Sequence, residues 1–231
     1  MNRQKIQVSP VSYYGALPSG YGYIALTSFP NTAASEVKKA FLELKEKHHI
    51  KGLILDLRDN GGGLIDEAIK IVNFFVPAGE EVVTTRGRNA RLQETIYKTT
   101  DKPLDTEIPL TVLINAQSAS SSEIVSGALQ DLDRAVVMGV KSYGKGLVQT
   151  TMQLPYDGTI KLTTAKYYIP SGRCIQRIDY HSLREGKGAT ILPDSLTKVF
   201  HTRAGREVRD AGGILPDITL PVDTLPTMVY Y

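Results

Sequence analysis

The protein has 231 residues, 42% of them hydrophobic and 22% charged, with 20 glycines, an ordinary globular composition in a chain long enough to bury a core. Its net charge is +3 and it has no dense lysine or arginine block, so charge gives no reason to invoke nucleic acid or an acidic membrane as partner. Cys174 is the only cysteine, which excludes an internal disulfide, and no apolar run approaches the roughly 18 residues of a membrane span.

The opening residues lead directly into Ile6-Gln7-Val8, which alternates like a strand, and they carry no signal-peptide pattern. If the protein is exported, its targeting segment is expected outside this chain, and residues 1–20 read as a strand and linker. Tyr21 to Leu26, after the turn Pro18-Ser19-Gly20, is a β-rich run. Pro30-Asn31-Thr32 offers a helix start, and Val37, Ala40, Phe41, Leu44 and His48 then fall on one helical stripe. His48 and His49 suggest a metal, but the end of an amphipathic helix, where histidine suits the dipole, explains them better. The site is expected to hold no metal.

Gly52 to Leu57 is an apolar run of the kind buried on both faces of a sheet. Arg58-Asp59-Asn60-Gly61-Gly62-Gly63 follows, and then a helical stripe of Ile65, Ala68, Ile69, Val72 and Phe75. A strand, a glycine turn and a helix in succession can present backbone N–H groups and a helix N-terminus to a phosphate or an oxyanion. A plain tight turn is the alternative, but three adjacent glycines are costly in backbone entropy, which favours the functional reading. Glu81 to Arg86 and Glu94 to Lys98 read as two strands joined by a basic turn carrying Arg86, Arg88 and Arg91. Pro109 to Ile114 is another buried strand. Ile124 with Ala128, and Val125 with Leu129 and Leu132, mark a helix, and Ala135 to Met138 a short strand. Leu147 to Leu154 and Thr159 to Tyr168 flank Tyr156-Asp157-Gly158, a strong hairpin signal. Residues 180–213 are polar and weakly patterned and read as a long surface excursion, with a last strand at 216–220. Alternating strands and helices argue for an α/β architecture.

The chemistry centres on the turn before the third helix, where Ser118, Ser120, Ser121 and Ser122 lie at a strand-to-helix junction. A serine there can project its hydroxyl away from the core, as nucleophile-bearing turns do. It can equally cap the helix, although one serine suffices for a cap. A serine hydroxyl needs a base. None of His48, His49, His181 and His201 lies in a recognisable triad motif, which leaves lysine, since Ser–Lys pairs are a known variant. To act, a lysine must be neutral. Moving its pKa from about 10.4 to about 7–8 amounts to about 4 kcal/mol of bias, which burial can supply. Lys145, between Gly144 and Gly146 and near apolar residues, fits best, and a surface lysine in a glycine turn is the reading left open beside it. Gly139 to Lys145 also matches the first seven positions of a phosphate-binding loop. However, Gly146 stands where that motif needs Ser or Thr, and Leu147 to Leu154 is strand-like where it needs a helix, so nucleotide hydrolysis is not expected.

These residues lie in segments that resemble the peptidase core of the C-terminal processing (tail-specific) serine peptidases. The segments are GYGYIALTSF (20–29), LILDLRDNGGG (53–63), SASSSEIVSGALQD (118–131), RAVVMG (134–139) and SYGKGLVQ (142–149), with TAKYYIPSGRCIQ (164–176) and GGILPDI (212–218) extending the match. The resemblance implies an α/β fold, a ClpP/crotonase-like spiral of ββα units with a β-hairpin excursion, over a single core spanning 1–231. It implies Ser120 as nucleophile, Lys145 as general base and Gln149 as the residue that orients the lysine. Four residues on a straight strand span about 13 Å, so contact between Gln149 and Lys145 would require the chain to curl at Gly146. The implied oxyanion hole is the N–H of Ser121 with that of Gly62, or of Gly61 or Gly63. Asp131, eleven residues after the nucleophile, matters in some relatives or supports the local structure.

This chain departs from the usual pattern in carrying Ser121 where the family has alanine, which makes Ser121 and Ser122 rival nucleophiles, and Gly61 where many members carry proline. Family members usually have a PDZ domain ahead of the segment matching Lys5 to Val11, so the chain reads as a core without it. The resemblance further implies protein or peptide substrates with unstructured C-termini, no cofactor, no nucleic acid, and a location in the bacterial envelope or the thylakoid lumen. A non-catalytic peptide-binding module on the same fold is the alternative function.

Overall fold

The computed structural model describes residues 8–88, 94–179, 190–191 and 197–221. Of the readings above, Ile6, Gln7, Arg91, His181 and most of 180–196 lie outside the described residues. The chain opens with β1 (Val11–Ala16) and β2 (Gly22–Leu26), an antiparallel pair closed over the predicted 18–20 turn. α1 (Ala33–His48) leads to β3 (Leu53–Asp56), and α2 (Ile65–Asn73) to β4 (Glu81–Gly87) and β5 (Glu94–Lys98). Then come β6 (Leu110–Ile114), α3 (Ser121–Asp131) and β7 (Val136–Gly139). The last part holds β8 (Leu147–Gln153), β9 (Thr159–Tyr168), the short pairs β10 (Ile178–Asp179) with β11 (Thr190–Ile191) and β12 (Val199–His201) with β13 (Glu207–Arg209), and finally β14 (Ile218–Thr219).

The strands build two main sheets. The larger has the order β1-β2-β3-β6-β7-β14 and is parallel from β2 onward. The smaller, β5-β4-β9-β8, is antiparallel throughout. Parallel strands need crossovers, and α1, α2 and α3 supply them. The fold is therefore mixed α/β.

Alternation fixes which face is buried. On β2 and β6 every second residue, including Ile24, Leu26, Val112 and Ile114, is fully buried, and the residues between are half-buried. On β3 Leu53 and Leu55 are buried and Ile54 between them is half-buried, while Asp56 at the strand's end is buried again. Against the buried face pack Val37, Ala40, Phe41 and Leu44 of α1 and Ala68, Ile71 and Val72 of α2, in one continuous core. His48, placed by periodicity on the α1 stripe, is exposed, because the helix ends at His49 in a left-handed cap with φ 48°. α3 buries every one of its residues, including Ser122, Glu123, Ser126, Gln130 and Asp131, so its polar side must find partners inside the protein. The 180–213 stretch is more structured than a surface excursion where it is described. The β12–β13 hairpin buries Val208, Thr202 is buried beside it, and Arg203 N–H bonds to the Asp131 carbonyl at 2.8 Å.

Candidate active site

β3 and β6 are hydrogen-bonded parallel neighbours, so the segments leaving their carboxyl ends emerge side by side. That is where open parallel sheets place their ligands. One segment is Arg58–Gly63, the other Asn115–Ser120, and they are laced together. Asp59 N–H donates to Asn115 Oδ1 at 3.0 Å, and Asn115 Nδ2 donates back to Asp59 Oδ1 at 2.8 Å. Asn60, fully buried, sends Nδ2 to the Leu26 carbonyl at 2.7 Å and takes the Gly62 N–H on Oδ1 at 2.9 Å. Its carbonyl accepts from Ala119 N–H at 3.0 Å. Gly62 has φ 95°, and a Cβ there would stand 2.7 Å from the Ala119 carbonyl and 2.8 Å from Ser120 Cβ and from Ser121 N. Glycine is required because the turn presses against the serine turn.

The four serines have different surroundings. Ser118 donates to the Leu57 carbonyl at 2.7 Å, Ser121 to the Gly63 carbonyl at 2.9 Å and Ser122 to the Asn60 carbonyl at 2.8 Å, and all three are buried. Ser120 is half-buried and sits at φ 57°, ψ −115°, a conformation that a non-glycine residue adopts under strain. Among the described residues no carbonyl accepts its hydroxyl proton. Ser121 and Ser122, the two rivals to Ser120, are thus both buried with their hydroxyls bonded to carbonyls of the glycine turn.

The lysine loop comes from the carboxyl end of β7, the next strand over. It starts at Gly139, where φ is 128° and a Cβ would lie 2.0 Å from the Ile114 carbonyl. Tyr143 N–H donates to the Ser118 carbonyl at 3.0 Å, which ties the loop to the serine turn. After Gly146 the chain enters β8, not a helix, so the phosphate-binding-loop geometry is absent. Lys145 is half-buried, and its Nζ has no hydrogen bond or ion pair among the described residues.

The side chain that joins serine turn and lysine loop is Glu123, fully buried in the first turn of α3. Its Oε2 accepts from Ser120 N–H and from Lys145 N–H, each at 2.9 Å. Its Oε1 accepts from Ser142 Oγ at 2.5 Å and Gly144 N–H at 2.7 Å. Burial pushes the carboxyl above its usual value of 4.5, against the pull of these four donors. Ser142 Oγ in turn accepts from Ile214 N–H at 2.6 Å, which connects the 212–218 segment to the site. Tyr167, also buried, donates its hydroxyl proton to the Lys145 carbonyl, with the Ser120 carbonyl a second acceptor at 3.3 Å. Burial raises its phenol well above the usual tyrosine value, so it stays a donor. Neither Glu123 nor Tyr167 was singled out by the sequence reading. The Ser120-x-x-Glu123 spacing is a capping-box signature and could have pointed to the first. Nothing in sequence marks Tyr167.

Other expected residues fall differently. Gln149 is exposed on β8, beside a register shift at Val148/Gln149, with no side-chain partner among the described residues. The N–H of Gly62, the first-choice oxyanion donor, is donated to Asn60, whereas those of Gly61, Gly63 and Ser121 have no acceptor among the described residues. Asp131 lies at the opposite end of α3 from Ser120. It accepts from Arg173 at 2.8 Å with both side chains fully buried, and from Ser171 N–H at 2.9 Å. Among the described residues no group of acidic, histidine or cysteine side chains could hold a metal.

The model of peptidase family S41 matches residues 20–182. The chain is 43% identical over 181 residues to the carboxy-terminal-processing protease of Bartonella bacilliformis, covering 76% of this chain and 40% of that protein. It is 34% identical over 190 residues to the chloroplastic C-terminal processing peptidase of Tetradesmus obliquus, covering 77% and 40%. To a probable CtpA-like serine protease of Staphylococcus aureus it is 37% identical over 195 residues, covering 84% and 36%. It therefore spans about 40% of the length of these relatives. Among solved structures, a photosystem II D1 C-terminal processing protease matches with TM-score 0.69 and 28% identity, over 99% of this chain and 52% of that one.

Proposed function

Given that the chain belongs to peptidase family S41, we propose that it is the hydrolytic core of a serine peptidase that uses Ser120 as nucleophile and Lys145 as general base. The observation that carries the reading is the contrast among the turn serines. Three give their protons to backbone carbonyls, and Ser120 alone stands half-exposed in a strained turn beside a lysine whose amine has no partner among the described residues. Uncharged Lys145 takes the hydroxyl proton as Ser120 Oγ bonds to the substrate carbonyl carbon. The resulting oxyanion is received by Ser121 N–H and a glycine-turn N–H, which are Gly61 or Gly63 as the turn stands, or Gly62 once it leaves Asn60. The proton passes from Lys145 to the departing amine, and water then hydrolyses the ester, regenerating both groups. By analogy with the named relatives, the substrates are polypeptides cleaved near their C-termini, met on the envelope side of a bacterial cell. The single-core organisation, with substrate selection supplied by segments outside this chain, is part of the same proposal.

A second reading, a peptide-binding module without turnover, draws support from the engaged Gly62 amide and the exposed Gln149, whose side chain has no partner among the described residues. Cleavage of an unstructured peptide separates the two. Ser120→Ala and Lys145→Ala should each lower turnover by a factor of at least about 10³ without changing the melting temperature. Peptide binding without cleavage by the unaltered chain would favour the second reading, and unchanged turnover in either variant would refute the assignment.

A further inference from the structure

We infer that Glu123 and Tyr167 are paired positioning residues that hold Ser120 and Lys145 in register through their backbones, Glu123 by the two N–H groups and Tyr167 by the two carbonyls. The inference rests on the Ser120–Lys145 reading above. The N–H groups of these residues, 25 apart in sequence, end on one atom, Glu123 Oε2, each at 2.9 Å. Their carbonyls meet one phenol, that of Tyr167. No bond of this clamp takes the Ser120 hydroxyl proton, the capping box using only the hydroxyl oxygen as an acceptor, and none reaches the Lys145 amine, so the proton and the amine remain available for proton transfer.

Two features go beyond ordinary helix capping. A cap needs only the bond to Ser120 N–H, yet three of the four donors to Glu123 come from the lysine loop: Ser142 Oγ, Gly144 N–H and Lys145 N–H. An ionised carboxylate is acceptor-only and matches four donors, whereas a carboxamide in its place would turn an N–H₂ toward at least one of them. The phenol is the complementary case, a buried donor facing two acceptors. Shared anchors matter here because an error of about 1 Å between nucleophile and base can cost about 100-fold in rate.

The test uses the full chain with Tyr167→Phe and Glu123→Gln, and two measurements. The first is the ¹H–¹⁵N amide signals of Ser120 and Lys145. Both should move together in each variant, while Arg203 N–H and Ser171 N–H at the far end of α3 stay in place. The second is the rate at which a fluorophosphonate labels Ser120 in the folded protein. It should fall about fivefold in Tyr167→Phe and about 50-fold in Glu123→Gln, where a charge-assisted acceptor is lost, with partial rescue by Glu123→Asp. A purely structural role would lower the melting temperature and leave the labelling rate of folded protein unchanged. Amide signals that respond independently, or an unchanged labelling rate, overturn the inference. If unaltered Ser120 takes no label, the Ser–Lys reading fails and the amide pair alone decides the clamp. If Glu123→Gln does not fold, Tyr167→Phe, which loses one oxygen, carries the test.

Discussion

The two ends of α3 solve the same problem in opposite ways. Each buries a carboxylate, Glu123 at the start and Asp131 at the end. Glu123 is satisfied by neutral donors, three backbone N–H groups and a hydroxyl. Asp131 is satisfied by a guanidinium, and a second arginine, Arg206, reaches the Gln130 carbonyl at 3.0 Å and the carboxylates of Asp133 and Asp217. Both arrangements agree with the helix dipole, with an anion in the first turn and cations at the last. The difference is what happens to nearby positive charge. At the far end the arginines are engaged in ion pairs and fix the 203–217 segment. At the Ser120 end the carboxylate takes the backbone of Lys145 and, among the described residues, no carboxylate reaches its amine, which is what the proposed lysine base would require, since such a partner would hold it as the ammonium. One end is built for cohesion, the other for placement.

The largest effect expected on that contrast is at the far end. Arg173→Ala leaves Asp131 buried without its cation and should cost about 3–5 kcal/mol in denaturant unfolding. Arg173→Met combined with Asp131→Asn should recover part of it. Because the ion pair is remote from Ser120, the fraction that stays folded should take the fluorophosphonate label at the unaltered rate. A fall in that rate matching the loss of stability would mean that the two ends are not separable.

The next effect belongs to the Ser120 end and depends on pH. Burial raises the Glu123 carboxyl in the folded protein above its value in the unfolded chain. Its contribution to stability is therefore fully present below the unfolded value and is lost as pH rises through the folded one, so acidification does not unfold the protein through this group. Protonation does remove an acceptor that four donors need. A further loss of turnover, beyond that from charging Lys145, should accordingly accompany protonation of Glu123 on the acid side while the melting temperature holds. Activity and melting temperature falling together at the same pH would show cohesion and placement to be one property. The smallest effect is expected at Gln149, on neither end. Gln149→Ala should leave turnover within about twofold and stability within about 0.5 kcal/mol. A tenfold loss of turnover would mean that β8 re-forms around Lys145 when substrate binds.

What the sequence made legible divides along similar lines. Elements that announce themselves locally were readable: the apolar runs of β3 and β6, the stripes of α1 and α2, and the Asp157-Gly158 hairpin between β8 and β9. β1 was not, because Val11–Ala16 is mostly exposed and is a strand by virtue of pairing with β2. At the site, the serine turn and the glycine turn stood out because strand-to-helix turns have a local signature, while the choice of Ser120 among the four serines came from the family resemblance. Glu123 and Tyr167 did not stand out, because the lysine-loop partners of Glu123 lie 19 to 22 residues away in the chain and those of Tyr167 lie 22 and 47 away, and they come together only through the order of β6, β7 and β9. The Gly62 amide shows the same limit, since its direction depends on the Asn60 side chain, which the spacing of glycines cannot report. Asp131 and Arg173 were visible as residues but not as a pair, because a polar residue on a central helix looks like a solvent-facing one until both sides of the helix are seen to be covered.

The central claim is that the Ser120 hydroxyl is made reactive by the Lys145 amine. The most direct measurement is fluorophosphonate labelling of the unaltered chain and of Lys145→Met, with the modified residue located by mass spectrometry. A label is expected on Ser120 in the unaltered chain and none on Ser121 or Ser122, with the rate lowered at least about 100-fold in Lys145→Met. A label on another serine, or an equal rate in the two proteins, would contradict it.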